Sequence, residues 1–240
     1  MILSNIIKGD LKMIDVKENE LLNAKLDTLY KKYTSDFLDE WEKSFSEWMK
    51  ESKEEVPYRM NEFGILNIYN YDKDNGVLFV AKETNNWESK DFKSGCLFRG
   101  WLSNIVEQGY IGQGVKPNMW YNVGRWMLLI ENPDRDIKEL ASAKQEAIKA
   151  IGHIAFTNVN KVRGKKRSET EYNQLAKTTV VGEVLRQEIK ILNPQIIVCC
   201  GTKWVLDKHI ENFNGKILDM PHPGARLSTE KMLLRLREQL

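Results

Sequence analysis

The chain predicts an α/β fold: a three-layer α/β/α sandwich on a mainly parallel central sheet, preceded by an N-terminal helical extension. Two observations carry this. Three short apolar runs, Val77–Ala81, Ile154–Thr157 and Ile196–Cys200, have the length and composition of strands covered on both faces. Between them and after them lie stretches with helical spacing of apolar residues, the alternation expected of crossover connections. The 240 residues are enough for one large domain with a buried core.

The first predicted element is helical. From about Glu18 to Glu54 the apolar residues Leu22, Leu26, Leu29, Tyr33, Phe37, Trp41, Phe45 and Trp48 recur at helical spacing. Thr34-Ser35-Asp36 offers a cap that would split the run into two helices, and Pro57 marks its end. Residues 1–60 hold 10 Lys+Arg against 13 Asp+Glu, a balance of −3, whereas residues 61–240 hold 26 against 21, a balance of +5. The division is therefore an acidic helical extension packed on the core (1–60) and an α/β domain (61–240). The aromatic stripe reads as core, with a partner-binding face as the alternative.

Next come Gly64–Tyr71 and Val77–Ala81, joined by Asp72-Lys73-Asp74-Asn75-Gly76, whose Asn-Gly pair favours a hairpin. Helices are predicted at Trp101–Gln108, Tyr121–Glu131, Ile137–Ile151, Glu171–Leu192, Thr202–Asn212 and Thr229–Glu238. Trp101, Tyr110, Trp120, Tyr121 and Trp126 make the middle of the chain unusually aromatic, which reads as interlayer packing.

Composition narrows the function classes. Of the three cysteines, Cys199 and Cys200 are adjacent in an expected core strand, which argues against a disulfide framework and suits a reducing compartment. No apolar stretch approaches the roughly 20 residues needed to span a bilayer, and the opening Met1–Ile7 is too short for a signal peptide. A cytoplasmic location without a membrane partner is the expectation. His153, His209, His222 and the cysteines lack the spacing of zinc sites, so no metal and no cofactor are expected.

Each predicted strand leads into polar residues, and the carboxyl ends of such strands are where open α/β sheets place ligands. Val77–Ala81 is followed by Lys82-Glu83-Thr84-Asn85-Asn86-Trp87, and the second strand by Asn158 and then Lys161-Val162-Arg163-Gly164-Lys165-Lys166-Arg167. The latter places five cations in seven residues, either a solvated loop or a phosphate clamp. After the third strand and a helix comes Met220-Pro221-His222-Pro223-Gly224-Ala225-Arg226, a histidine held between two prolines.

At these residues the chain resembles the uracil-DNA glycosylase superfamily, most closely its thermophile-type branch. Thr157-Asn158-Val159-Asn160-Lys161-Val162-Arg163 is similar to that branch's Thr-Asn-Val-Val-Lys-Cys-Arg segment. Asn193-Pro194-Gln195-Ile196-Ile197-Val198-Cys199-Cys200-Gly201 resembles its Pro-x-x-Ile-Val-x-x-Gly strand, and His222-Pro223-Gly224 its His-Pro-Ser loop. Gly95-Cys96-Leu97-Phe98-Arg99-Gly100 is similar to a Pro-Phe-Val-Gly stretch that supplies a stacking phenylalanine. The order and approximate spacing agree from Val77 to Leu227. The first loop departs: it lacks the family's glycine and proline, Glu83 aligns with the water-orienting aspartate of the classical enzymes, and Lys82 stands where the thermophile branch has its acid. That branch's iron–sulfur cluster rests on four cysteines, and three cannot build it in one chain.

The resemblance implies a DNA glycosylase, with DNA as partner. Glu83 and His222 would be catalytic, the first steadying the oxocarbenium-like sugar and orienting water, the second donating to the base oxygen where charge gathers. Phe98 would stack on a flipped base and Asn158 would bond its Watson–Crick edge, with Lys82, Asn85 and Asn86 completing the base pocket. Lys161, Arg163, Lys165, Lys166, Arg167 and Arg226 would meet phosphates, and Arg226 or Leu227 would wedge into the stack. Lys82 offers a further possibility, a Schiff-base amine that nicks the strand. The base is uracil-like or otherwise modified. Alternatives are an antiviral glycosylase for hypermodified cytosine, a non-catalytic DNA- or protein-binding module, and a small-molecule α/β enzyme.

Overall fold

The computed structural model describes residues 13–52, 60–82, 84–85, 98–109, 117–164 and 169–240. The strands are β1 (Gly64–Ile65), β2 (Val77–Ala81), β3 (Thr84–Asn85), β4 (Ala155–Asn158), β5 (Arg163–Gly164), β6 (Ile196–Cys200) and β7 (Lys216–Met220). The helices are α1 (Val16–Ser52), α2 (Phe98–Gln108), α3 (Pro117–Glu131), α4 (Ile137–Ser142), α5 (Lys144–Ala150), α6 (Glu169–Leu175), α7 (Thr179–Leu192), α8 (Lys203–His209) and α9 (Thr229–Arg237). Among the described residues no helix is long and apolar enough to cross a membrane.

The chain is α/β, with a five-stranded mixed sheet in the order β1-β4-β2-β6-β7. β4, β2, β6 and β7 run parallel and β1 lies antiparallel on the β4 edge. The three apolar runs read from the sequence are thus direct neighbours at the centre. Strand alternation sends successive side chains to opposite faces, and the contacts on each face identify the covering helices. Phe79 stacks on Trp126 and Phe156 packs on Trp120, both of α3. The next residue along β4, Thr157, instead donates to Glu188 of α7 at 2.9 Å. α3 and α7 therefore cover opposite faces, an arrangement compatible with three α/β/α layers.

Four local readings are corrected. α1 is one unbroken helix of 37 residues; Thr34 does not cap a second helix, because its hydroxyl donates back to the Tyr30 carbonyl at 2.7 Å. The aromatic stripe is core: Leu26, Phe37, Trp41 and Phe45 are fully buried. No hairpin joins β1 to β2, since β4 lies between them and residues 73–75 form a 3₁₀ turn capped by Asp72. The stretch 137–151 breaks at Ala143 into α4 and α5, and 171–192 breaks between Leu175 and Thr179 into α6 and α7. α7 then ends on Asn193 in the left-handed conformation (φ 44°) just before Pro194, a C-cap that aims the chain into β6.

α3 and α5 cross in close contact. A Cβ placed on Gly124 would lie 1.9 Å from the Ala147 carbonyl oxygen, so only glycine permits this crossing. Gly124→Ala is expected to destabilise the protein by about 1–3 kcal/mol or more, the usual cost of overpacking, as read by urea denaturation. A neutral result would mean that the two helices are not this close.

Candidate functional site

The strand order contains a reversal. From β2 the chain crosses to β4 on one side, then to β6 on the other, so a crevice opens between β2 and β6 at their carboxyl ends, the position where open α/β sheets bind ligands. Ala81 and Lys82 leave β2 there, and Cys200, Gly201 and Thr202 leave β6. Thr202 opens α8 as its N-cap residue, as expected, but its buried hydroxyl makes no cap bond and donates to the Val80 carbonyl at 2.7 Å, tying the exits of the two strands together. Gly201 (φ 77°) needs the left-handed backbone that glycine supplies, and its amide donates to the Met220 carbonyl at 2.7 Å. A Cβ on Gly201 would meet the backbone of His222 at 3.5 Å, so the His222 loop lies directly over the end of β6.

Asn158 ends β4, level with Ala81, and is 2% exposed. Its side chain makes no hydrogen bond among the described residues. Its amide is nonetheless not one of the fully buried, unpartnered polar groups of the described residues, such as Asn19 Oδ1 and Arg125 Nε. Two residues on from Phe156, Asn158 shares the α3 side of the sheet. The His222 loop is held from the same side: Asn122 of α3 donates to the Pro223 carbonyl at 2.8 Å. Asn158 and His222 thus flank the crevice from β4 and β7, three strand spacings or about 14 Å apart at the backbone.

His222 is defined in its proton placement. The Gly224 amide donates to His222 Nδ1 at 3.0 Å, which puts the proton of the neutral ring on Nε2. A neutral imidazole in this tautomer can donate from Nε2 to a developing oxyanion. The loop closes with the Ala225 amide on the His222 carbonyl at 2.8 Å, leaving Arg226 exposed and Leu227 46% exposed at its tip.

The loops after β2 and β4 also meet. β3 and β5 form a separate two-stranded parallel ladder pairing Thr84 with Arg163 and Asn85 with Gly164. The Val159 and Asn160 amides donate to the Ala81 and Lys82 carbonyls at 2.9 and 3.0 Å. The structure therefore brings Asn158, His222 and the backbones of Asn85 and Arg163 to one edge of the sheet. Phe98 begins α2. Glu83, Asn86, Lys165, Lys166 and Arg167 lie outside the described residues.

Two assigned cations stand elsewhere than expected. Lys82 places its ammonium 4.5 Å from the Tyr172 ring centroid. Tyr172 belongs to α6, which packs with α1 on the α7 side, so Lys82 is turned away from the side shared by Asn158 and His222. Lys161 is not a phosphate contact. It is completely buried, and its ammonium donates to both Glu188 carboxylate oxygens at 2.7 Å and to the Thr157 hydroxyl. Burial pulls its pKa below the ordinary lysine value, against the pull of Glu188 in the other direction. A fully sequestered ion pair has no charge left for DNA.

Sequence reasoning missed Thr202 and Asn122, which position the two sides of the crevice. Asn122 had a signal, a polar residue facing inward in an otherwise apolar helical stretch. Among the described residues no group of three or more His, Cys, Asp or Glu is arranged to hold a metal ion. Burial raises both adjacent thiols, Cys199 to about 12 and Cys200 further, so neither is a nucleophile near neutral pH. Comparison of the chain with protein-family models, curated proteins and solved structures gives no match.

Removing one partner of a buried ion pair leaves the other charge unpaired. Lys161→Ala is therefore expected to cost about 3–5 kcal/mol, whereas Lys161→Met combined with Glu188→Leu should recover much of the loss. Urea midpoints of the two variants decide the matter; equal, small losses in both would place Lys161 at the surface.

Proposed function

We propose that the chain is a DNA glycosylase that flips a uracil-like or otherwise modified pyrimidine into the crevice at the carboxyl edge of the sheet and hydrolyses its N-glycosidic bond. The observation that carries this reading is that Asn158, at the end of β4, and the His222 loop, whose ring accepts at Nδ1 and so carries its proton on Nε2, meet this crevice on the α3 side of the sheet. Asn158 has the donor and acceptor needed for a base edge. His222 is suited to stabilise the negative charge that builds on the departing base. The exposed Arg226 and Leu227 at the loop tip suit a wedge that fills the gap left in the stack. Glu83 keeps its assignment as the carboxylate that steadies the sugar cation, on the resemblance alone.

The direction of Lys82 weakens the Schiff-base alternative, since its amine packs on Tyr172. Electrostatic binding rests on the remaining cations, Arg163, Lys165, Lys166, Arg167 and Arg226, without Lys161. The altered first loop leaves room for a bulkier base, which keeps hypermodified cytosine of viral DNA as the runner-up substrate.

Incubation with DNAs carrying uracil, hypoxanthine, hydroxymethylcytosine or glucosylated cytosine should yield abasic sites on at least one. A folded protein inactive across the panel, yet binding DNA with a steep salt slope, would be a binding module instead. On the active substrate, Glu83→Gln or His222→Ala should lower the single-turnover rate by about 100-fold or more with little change in affinity for unmodified DNA. Lys165→Ala combined with Arg167→Ala should do the reverse, weakening binding and flattening its salt dependence while sparing the bound-state rate. Activity that survives Glu83→Gln but not Lys82→Ala would transfer the chemistry to the lysine.

A further inference from the structure

Arg125, in the middle of α3, is a buried cation without a counter-ion. It is 4% exposed. Its Nη1 donates to Asn122 Oδ1 at 3.3 Å, its buried Nε has no acceptor, and its guanidinium lies 5.7 Å from the Tyr121 ring. No carboxylate pairs with it among the described residues, and burial lowers its pKa, with the Tyr121 phenol acting less strongly in the other direction. Other arginines of this chain are treated differently: Arg99 is held by Asp27 and Glu62, and Arg135 by Glu139 and Glu146. A guanidinium buried more deeply than either, yet without an anion, is a costly arrangement for a fold that uses it only for packing.

The surroundings point to what it would hold. The Asn122 Oδ1 that receives Arg125 also accepts from the Thr229 hydroxyl at 3.3 Å. Thr229 is the first residue of the nine-residue helix α9, so the guanidinium and the opening turn of α9 meet on one oxygen. Ser228 Oγ already caps the Lys231 amide; the other first-turn amides have no intrahelical acceptor and sit at the positive end of the helix dipole. Lys144, exposed and 5.8 Å from the Tyr121 ring, adds positive charge, and Glu230, exposed in the same turn of α9, opposes it. Through its other atom, Nδ2, Asn122 ties this corner to Pro223 of the His222 loop.

We propose that Arg125, Asn122 and the first turn of α9 form a binding site for a phosphate group. A guanidinium fork, a hydroxyl and helix amides together match the several acceptor oxygens of a tetrahedral anion. The phosphate belongs either to a small free compound or to a nucleic-acid backbone, and the chemistry of recognition is the same. The site does not rest on the base-excision reading, with which it shares only Asn122, the residue that holds the Pro223 carbonyl of the His222 loop.

The test is calorimetric titration of the full chain with inorganic phosphate, against potassium chloride at matched ionic strength. Saturable binding is expected, weakened about tenfold or more by Arg125→Met, weakened less by Thr229→Val and strengthened by Glu230→Gln. Thr229→Val and Glu230→Gln keep the test decisive where Arg125→Met fails to fold. Displacement of phosphate by a short unmodified duplex would assign the site to a nucleic-acid backbone; binding without displacement would assign it to a free phosphate compound, and either supports the site. Phosphate indistinguishable from chloride, or binding unmoved by both Thr229→Val and Glu230→Gln, would overturn it. No readout involves base release, so this outcome and that of the glycosylase assay are separable.

Discussion

The buried pair of Lys161 and Glu188 is the constraint on which the site edge depends. Glu188 Oε1 accepts from Lys161, from Thr157 and, at 2.5 Å, from Tyr30, while Oε2 accepts from Lys161. One carboxylate thereby joins α7, the end of β4, the turn after β4 and the middle of α1. Burial, and then the Glu188 charge, hold the Tyr30 phenol well above its ordinary pKa, so it remains a donor. The ammonium also lies 5.2 Å from the Phe63 ring, just before β1. Such a network is worth its desolvation only when every member is satisfied, and each partner here is.

The consequence is geometric. Thr157 and Lys161 bracket Asn158, Val159 and Asn160, so pinning both ends to one carboxylate sets the course of the turn between them. Asn160 reinforces it by accepting from the Val162 amide at 3.0 Å. The turn then bonds back to Ala81 and Lys82, and the chain continues into the β3–β5 ladder. The loops after β2 and β4 are thus held as one unit beside the crevice. α1 belongs to this arrangement and is not an appendage, because Tyr30 closes the network and Arg99 of α2 pairs with Asp27 of the same helix.

The central strands were legible because burial on both faces demands short continuous apolar runs, and Val77–Ala81 and Ile196–Cys200 have the boundaries read from composition. β7 was not read as a strand: Lys216 and Asp219 interrupt its apolar pattern near the sheet edge. The Asn75-Gly76 turn signal was genuine but local, and it could not say that β1 would pair with β4 across ninety residues of chain. Lys161 shows the same limit in charge patterning. Its neighbours in sequence are cations, but its partner is 27 residues away within α7, and only that partner explains its burial.

The His222 loop was readable as a site from its prolines, yet its anchoring comes from residues the motif does not contain. Gly201 allows the close approach from β6, Gly224 bonds the ring itself, and Asn122 holds the Pro223 carbonyl from α3. Asn122 is shared with Arg125 and Thr229, so the imidazole donor and the buried guanidinium are positioned by one amide. An anion drawn to Arg125 would act on the same hydrogen-bonded corner that orients the loop. Arg125, Thr229 and the His222 loop thus share one amide, and a phosphate bound at the proposed site would share that corner with them.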